Sequence, residues 1–96
     1  MDKQRVCWEA IELWGEDAQI LKCVEECTEL ALVLLHAWRN KTDIEDIASE
    51  IADVEIMCVQ MRLIFDNEII DRVKKFKWIR LKNRIFKAKE RAKNIA

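Results

Sequence analysis

The chain has 96 residues, enough for one domain near the lower limit of a self-sufficient core, and its 51% hydrophobic and 36% charged side chains exclude a disordered polymer. With one glycine and no proline it lacks the turn residues of strand-rich folds, so the fold class predicted is all-α. Net charge is only −1, yet residues 1–71 carry 17 acidic and 6 basic side chains while residues 72–96 carry 11 basic and 1 acidic. An acidic body that attracts a cation and a basic tail that attracts phosphates or an acidic partner are implied, or else a tail that neutralises the body.

The first helix is predicted from about Lys3 to Leu13, with Val6, Ala10, Leu13 and Trp14 near one face. Gly15 suits the position after its end, and Asp17 is a fair N-cap for a second helix from about Ala18 to Arg39. From Leu30 to Trp38 that helix has His36 as its only polar side chain, so it is apolar nearly all round and is expected to pack partly against a second subunit. Asn40 and Lys41 form the turn. Thr42, followed by Glu45, has the pattern of a reciprocal cap opening a third helix to about Phe65, with Ile44, Ile47, Ile51, Val54, Cys58 and Met61 buried.

Asp66 and Asn67 interrupt the helical pattern before the basic tail. There Trp78, Leu81, Ile85, Ala88 and Ala92 form a stripe suited to packing on the body or a partner. The whole reads as a single domain, 1–96: an antiparallel bundle of four to five helices, completed by oligomerisation, with a hairpin over about 17–65 and a basic tail over about 67–96. No signal peptide or membrane span is visible, and the longest apolar run, Leu30 to Leu35, is far short of the ~20 residues a bilayer requires. Cys7, Cys23, Cys27 and Cys58 read as small reduced core residues of a cytoplasmic protein, since a bridge between residues four apart on one helix has poor geometry.

The most informative residues are Glu25, Glu26 and Glu29 on the second helix and Glu50 and Asp53 on the third. At 100° per residue Glu26 and Glu29 lie about 60° apart, on the face that carries Cys23, Leu30, Val33 and Ala37. Glu50 and Asp53 share an edge with Val54 and Met57, with Asp46 one turn earlier. Each pair is centred about 12 residues from the Asn40 turn, so equal rise on two antiparallel arms brings both to one level. Four carboxylates meeting near a hydrophobic core repel one another unless a divalent cation joins them. Oxygen ligands at this density suit Mg²⁺, with Mn²⁺ as a substitute.

Glu25-Glu26-x-x-Glu29, a spacer of twenty residues, and Glu50-x-x-Asp53 together resemble the signature of the MazG-like all-α NTP pyrophosphatases. The Trp14-Gly15 lead-in, Asp17-Ala18-Gln19 and Ile51-Ala52-Asp53-Val54 extend the resemblance from about Trp14 to Phe65. It implies a Mg²⁺-dependent pyrophosphohydrolase that splits a nucleoside triphosphate between the α and β phosphates, as a homodimer or tetramer. Glu26, Glu29, Glu50 and Asp53 would be the metal ligands, and Glu25, about 100° off their face, would orient water or a neighbouring group.

The tail lacks the Arg-His-Pro-type segment of longer members; its cations are Lys74, Lys75, Lys77, Arg80 and Arg84. Lys77 and Arg80, with Trp14 and Gln19, are the candidate substrate contacts; a solvated basic face is the plainer reading of the lysines and arginines. Trp8, Trp14, Trp38 and Trp78 read first as buried or interface residues and second as base-stacking ones. His36 reads as a core or interface histidine. The alternative function is a non-catalytic helical protein binding a nucleotide or a partner. Nucleic acid is a poor fit, because the acidic body should repel its backbone.

Overall fold

The computed structural model describes residues 1–40 and 42–95, and among them every regular element is α-helical: α1 (Lys3–Trp14), α2 (Glu16–Arg39), α3 (Ile44–Ile64) and α4 (Asn67–Ile95). The chain divides into two compact units, Met1–Phe65 and Asp66–Ala96. In the first, α2 and α3 form a hairpin along their length and α1 packs against both. Lys41, half of the expected turn, lies outside the described residues; the Asn40 N–H closes α2 by donating to the His36 carbonyl at 2.9 Å.

Local chemistry explains most of the boundaries. Asp2 caps α1, its Oδ1 accepting from the Arg5 N–H at 3.1 Å, and Asp66 caps α4 by accepting from the Ile69 N–H at 3.0 Å. Gly15 has φ 90° and ψ 154°, a backbone region essentially reserved for glycine, and it joins α1 directly to α2. Asp17 therefore lies inside the first turn of α2 rather than capping it; as an acidic group there it favours the positive end of the helix dipole.

The cap of α3 also differs from expectation. Asp43, not Thr42, is the cap residue, which puts Asp46 rather than Glu45 at the third helical position, so the reciprocal pair cannot form. The Thr42 hydroxyl is left buried without a partner.

The core of the first unit is small. Cys7, Ile11 and Met57 are its buried hydrophobics, and among the described residues no large side chain is fully enclosed. On α1 the buried face is Cys7 and Ile11, one residue round from the expected face; Val6, Leu13 and Trp14 are exposed. On α3 the inward stripe runs Ile47, Glu50, Val54, Met57, Gln60 and Met61, while Ile44, Ile51 and Cys58 are exposed. That helix is apolar on several sides, so periodicity shows a helix without showing which side meets α2.

All four cysteines are free thiols, as expected, but Cys27 and Cys58 are exposed rather than in the core. Burial, with the neighbouring thiols Cys27 and Cys58 adding to it, pushes the half-buried Cys23 up to about 11, so it stays a thiol at neutral pH. None of the four tryptophans is buried: Trp8, Trp14, Trp38 and Trp78 are 43%, 63%, 83% and 61% exposed. His36 is exposed as well.

The second unit is the single helix α4, which has no buried residue; the stripe containing Trp78, Leu81 and Ile85 is exposed. No helix among the described residues is long and apolar enough to cross a membrane.

Candidate metal centre

On α2 the residues that turn away from solvent are Gln19, Ile20, Cys23, Glu26, Leu30, Val33 and Ala37, spaced three or four apart from Ile20 on. Glu26 belongs to this stripe and is only 7% exposed. Glu29, less than one turn on, stands at the exposed edge of the same face, and Glu50 comes from the inward stripe of α3. One carboxylate oxygen from each of Glu26, Glu29 and Glu50 lies within 4.8 Å of the other two.

Two carboxylate oxygens of these residues lack compensation. Glu26 Oε2 and Glu50 Oε2 are buried with no hydrogen-bond partner. An unmatched buried acceptor costs about 1–3 kcal/mol, and more when charged. Among the described residues the cation bonded to the group is Lys22, one turn back on α2, whose Nζ lies 3.2 Å from Glu26 Oε1 and 3.6 Å from Glu25 Oε2. Its pKa is raised, first by the hydrogen bond to Glu26 and the charge behind it. Lys22 is itself half exposed, so it offsets one carboxylate incompletely.

Glu29 registers the remaining excess. Its carboxyl is raised above the ordinary 4.5, chiefly by the charge of Glu26, then by burial and by the charge of Glu50, with Lys22 opposing. Like charges at this range favour protonation or a shared cation.

The donor set fits a hard divalent ion. Octahedral Mg²⁺ at about 2.1 Å holds adjacent ligands about 3 Å apart, so oxygens within 4.8 Å of one another would reach it by side-chain movements of about 1 Å or less each. The two orphan oxygens supply unused lone pairs.

Asp53 is exposed and lies outside the group of three, and Glu25 is exposed and turned toward Lys22. Two clefts of the first unit flank this region. One, near the hairpin turn, is lined by His36, Thr42, Asp43, Asp46, Ser49 and Glu50 and is strongly acidic. The other, toward α1, is lined by Trp14, Ala18, Gln19, Lys22, Met57 and Gln60, and has no carboxylate. Trp14 and Gln19 thus share a pocket, whereas Lys77 and Arg80 are exposed on α4.

Lys22 and Gln60 were not singled out by the sequence pattern. The first was detectable, being three and four residues from Glu25 and Glu26; the second is the one polar member of an otherwise apolar run on α3. Comparison of the chain with known protein families, curated proteins and solved structures finds no match.

Proposed function

We propose that this protein is a Mg²⁺-dependent nucleoside triphosphate pyrophosphohydrolase, cleaving a ribo- or deoxynucleotide between the α and β phosphates and so cleansing the nucleotide pool. One observation carries the reading: Glu26, Glu29 and Glu50 bring carboxylate oxygens within 4.8 Å, and Oε2 of both Glu26 and Glu50 is buried without a partner. Glu26 and Glu50 would anchor the ion, Glu29 would close the set from the solvent side, and Asp53 would join it as the resemblance in the helical motifs implies. A bound Mg²⁺ or Mn²⁺ would supply neutralisation of phosphate charge and alignment for in-line attack by water. Glu29 is exposed and its carboxyl is raised by the like charge of Glu26, a repulsion that a shared cation would relieve. Glu25, outside the cluster, orients the attacking water.

The working form is a homodimer or a pair of dimers in the cytoplasm. Leu32, Leu34, Leu35 and Trp38 of α2 are 62%, 46%, 52% and 83% exposed, and a unit with three buried hydrophobics has little core of its own.

The test is pyrophosphate release from a panel of nucleoside triphosphates, with and without Mg²⁺. Glu29→Ala and Asp53→Ala should each abolish release while leaving the helical circular dichroism intact. Turnover that survives both substitutions removes the site assignment. A second reading, a non-catalytic protein that binds nucleotide or a partner, is favoured by the Lys22 bridge, which partly neutralises the cluster without an ion. Thermal stabilisation by Mg²⁺ and nucleotide with no product formed would decide for it.

A further inference from the structure

We infer that the cleft between the start of α2 and the C-terminal half of α3 receives the nucleobase, and that Gln60 determines which bases are accepted by reading an N–H on the base edge. This rests on the nucleotide reading above. Gln60 is 6% exposed, lines that cleft, and has its side-chain carbonyl Oε1 buried with no hydrogen-bond partner. Gln19, 5% exposed, lines the same cleft. Buried carboxamides are ordinarily satisfied within the fold, so an orphan acceptor on a pocket wall marks a place where a ligand donor belongs.

The remaining lining fits a planar heterocycle. Trp14 and Met57 give the cleft a largely apolar wall, and an aromatic face together with a polarizable thioether is favourable for a base. A carboxamide offers an acceptor beside a donor, the complement of the adjacent N–H and acceptor on a base edge.

Electrostatics chooses this cleft over its neighbour. The opposite one carries Asp43 and Asp46, carboxylates outside the proposed ligand set that repel a phosphate-bearing molecule, whereas Lys22 is the only charged side chain on the wall of the Gln60 cleft. Lys22 also touches Glu26, so the wall of the cleft is continuous with the carboxylate cluster. From Glu26 to Gln19 is seven residues of α2, about 10 Å at 1.5 Å per residue, a span suited to a nucleoside whose phosphates lie at the carboxylates.

The experiment compares kcat/KM for cytosine, uracil, adenine and guanine triphosphates with that for an analogue of the preferred one whose edge N–H is replaced by methyl or hydrogen. Wild type should prefer the natural base over its blocked analogue by about tenfold or more, since a site built around a hydrogen bond rejects a ligand lacking it. Gln60→Leu should flatten that ratio toward one, while Mg²⁺ affinity of the nucleotide-free protein, read by calorimetry, stays unchanged. Gln60→Glu, which keeps size and acceptor but loses the donor, should reorder the bases rather than flatten them, and serves if the leucine variant does not fold. Wild-type cleavage with an unchanged base ratio in both variants overturns the role of Gln60 and leaves the hydrolase reading intact. Failure of wild type to cleave any triphosphate overturns the hydrolase reading, and this inference with it.

Discussion

Lys22 and Glu26, one helical turn apart on α2, form an ion pair of 3.2 Å that engages one carboxylate oxygen and leaves the other buried and unpartnered. At the proposed centre the lysine would therefore compete with a divalent cation for the same glutamate. Removing its charge in Lys22→Met should tighten Mg²⁺ binding on the order of tenfold, a figure discounted for solvent screening of an exposed amine. Calorimetric titration checks this, and affinity that stays equal or falls shows that Lys22 does not oppose the ion.

Stability without divalent ions should depend on pH through Glu29. Its folded pKa is raised above 4.5, chiefly by Glu26, so the folded state holds that proton more tightly than the unfolded chain. The associated stability is complete below 4.5 and is lost as pH rises through the raised value. In chelator, the Tm of wild type should fall relative to Glu29→Gln across that window, and Mg²⁺ should reverse the order. A wild type that gains on the variant as pH rises in chelator would contradict like-charge repulsion at this residue.

The three glutamates and Asp53 should separate by assay. Glu50→Gln removes a member of the preformed group and should largely eliminate thermal stabilisation by Mg²⁺ alone. Asp53, exposed and outside that group, should matter less for binding: Asp53→Asn keeps most of the shift yet loses turnover by about a hundredfold or more. Equal loss of the thermal shift in both variants would mean that Asp53 holds the ion from the outset.

Gly15 offers a test of the fold independent of the centre. Its φ of 90° with ψ 154° is strained for any L side chain, while a methyl group there would meet nothing within 4 Å. Gly15→Ala should thus cost about 1–3 kcal/mol by conformation alone, measurable in urea. A neutral substitution would imply that α1 and α2 join by a different backbone geometry.

The exposed apolar face of α2 predicts association. Leu35→Lys with Trp38→Glu should lower the mass in solution to that of one chain and reduce stability, as light scattering and thermal melts will show. A wild type that is already monomeric at micromolar concentration would dispose of this interface.

Much of this architecture was legible in the residues. Lack of proline and the single Gly15 imply helices, and counting outward from Asn40 brings the Glu26/Glu29 and Glu50/Asp53 pairs to one level. What escaped was rotation. Ile44, Ile51 and Cys58 are as apolar as Ile47, Val54 and Met57, and the two triplets differ only in which side α2 covers, a tertiary choice that periodicity does not encode. Adjacent cap-forming residues, Thr42 and Asp43, likewise left the start of α3 ambiguous by one position. Gln60 was hidden because a single glutamine in a hydrophobic run acquires meaning only once its oxygen is seen to lack a donor.

The thiol of Cys7 is only 6% exposed, and burial keeps its pKa high. It borders a small cleft with Ile56 and Val59 of α3, so an alkylating reagent reaches the sulfur slowly while α1 is packed and faster when α1 lifts away. The speed at which this one atom is modified, set against that of a fully denatured chain, sets an upper limit on how often the first helix detaches.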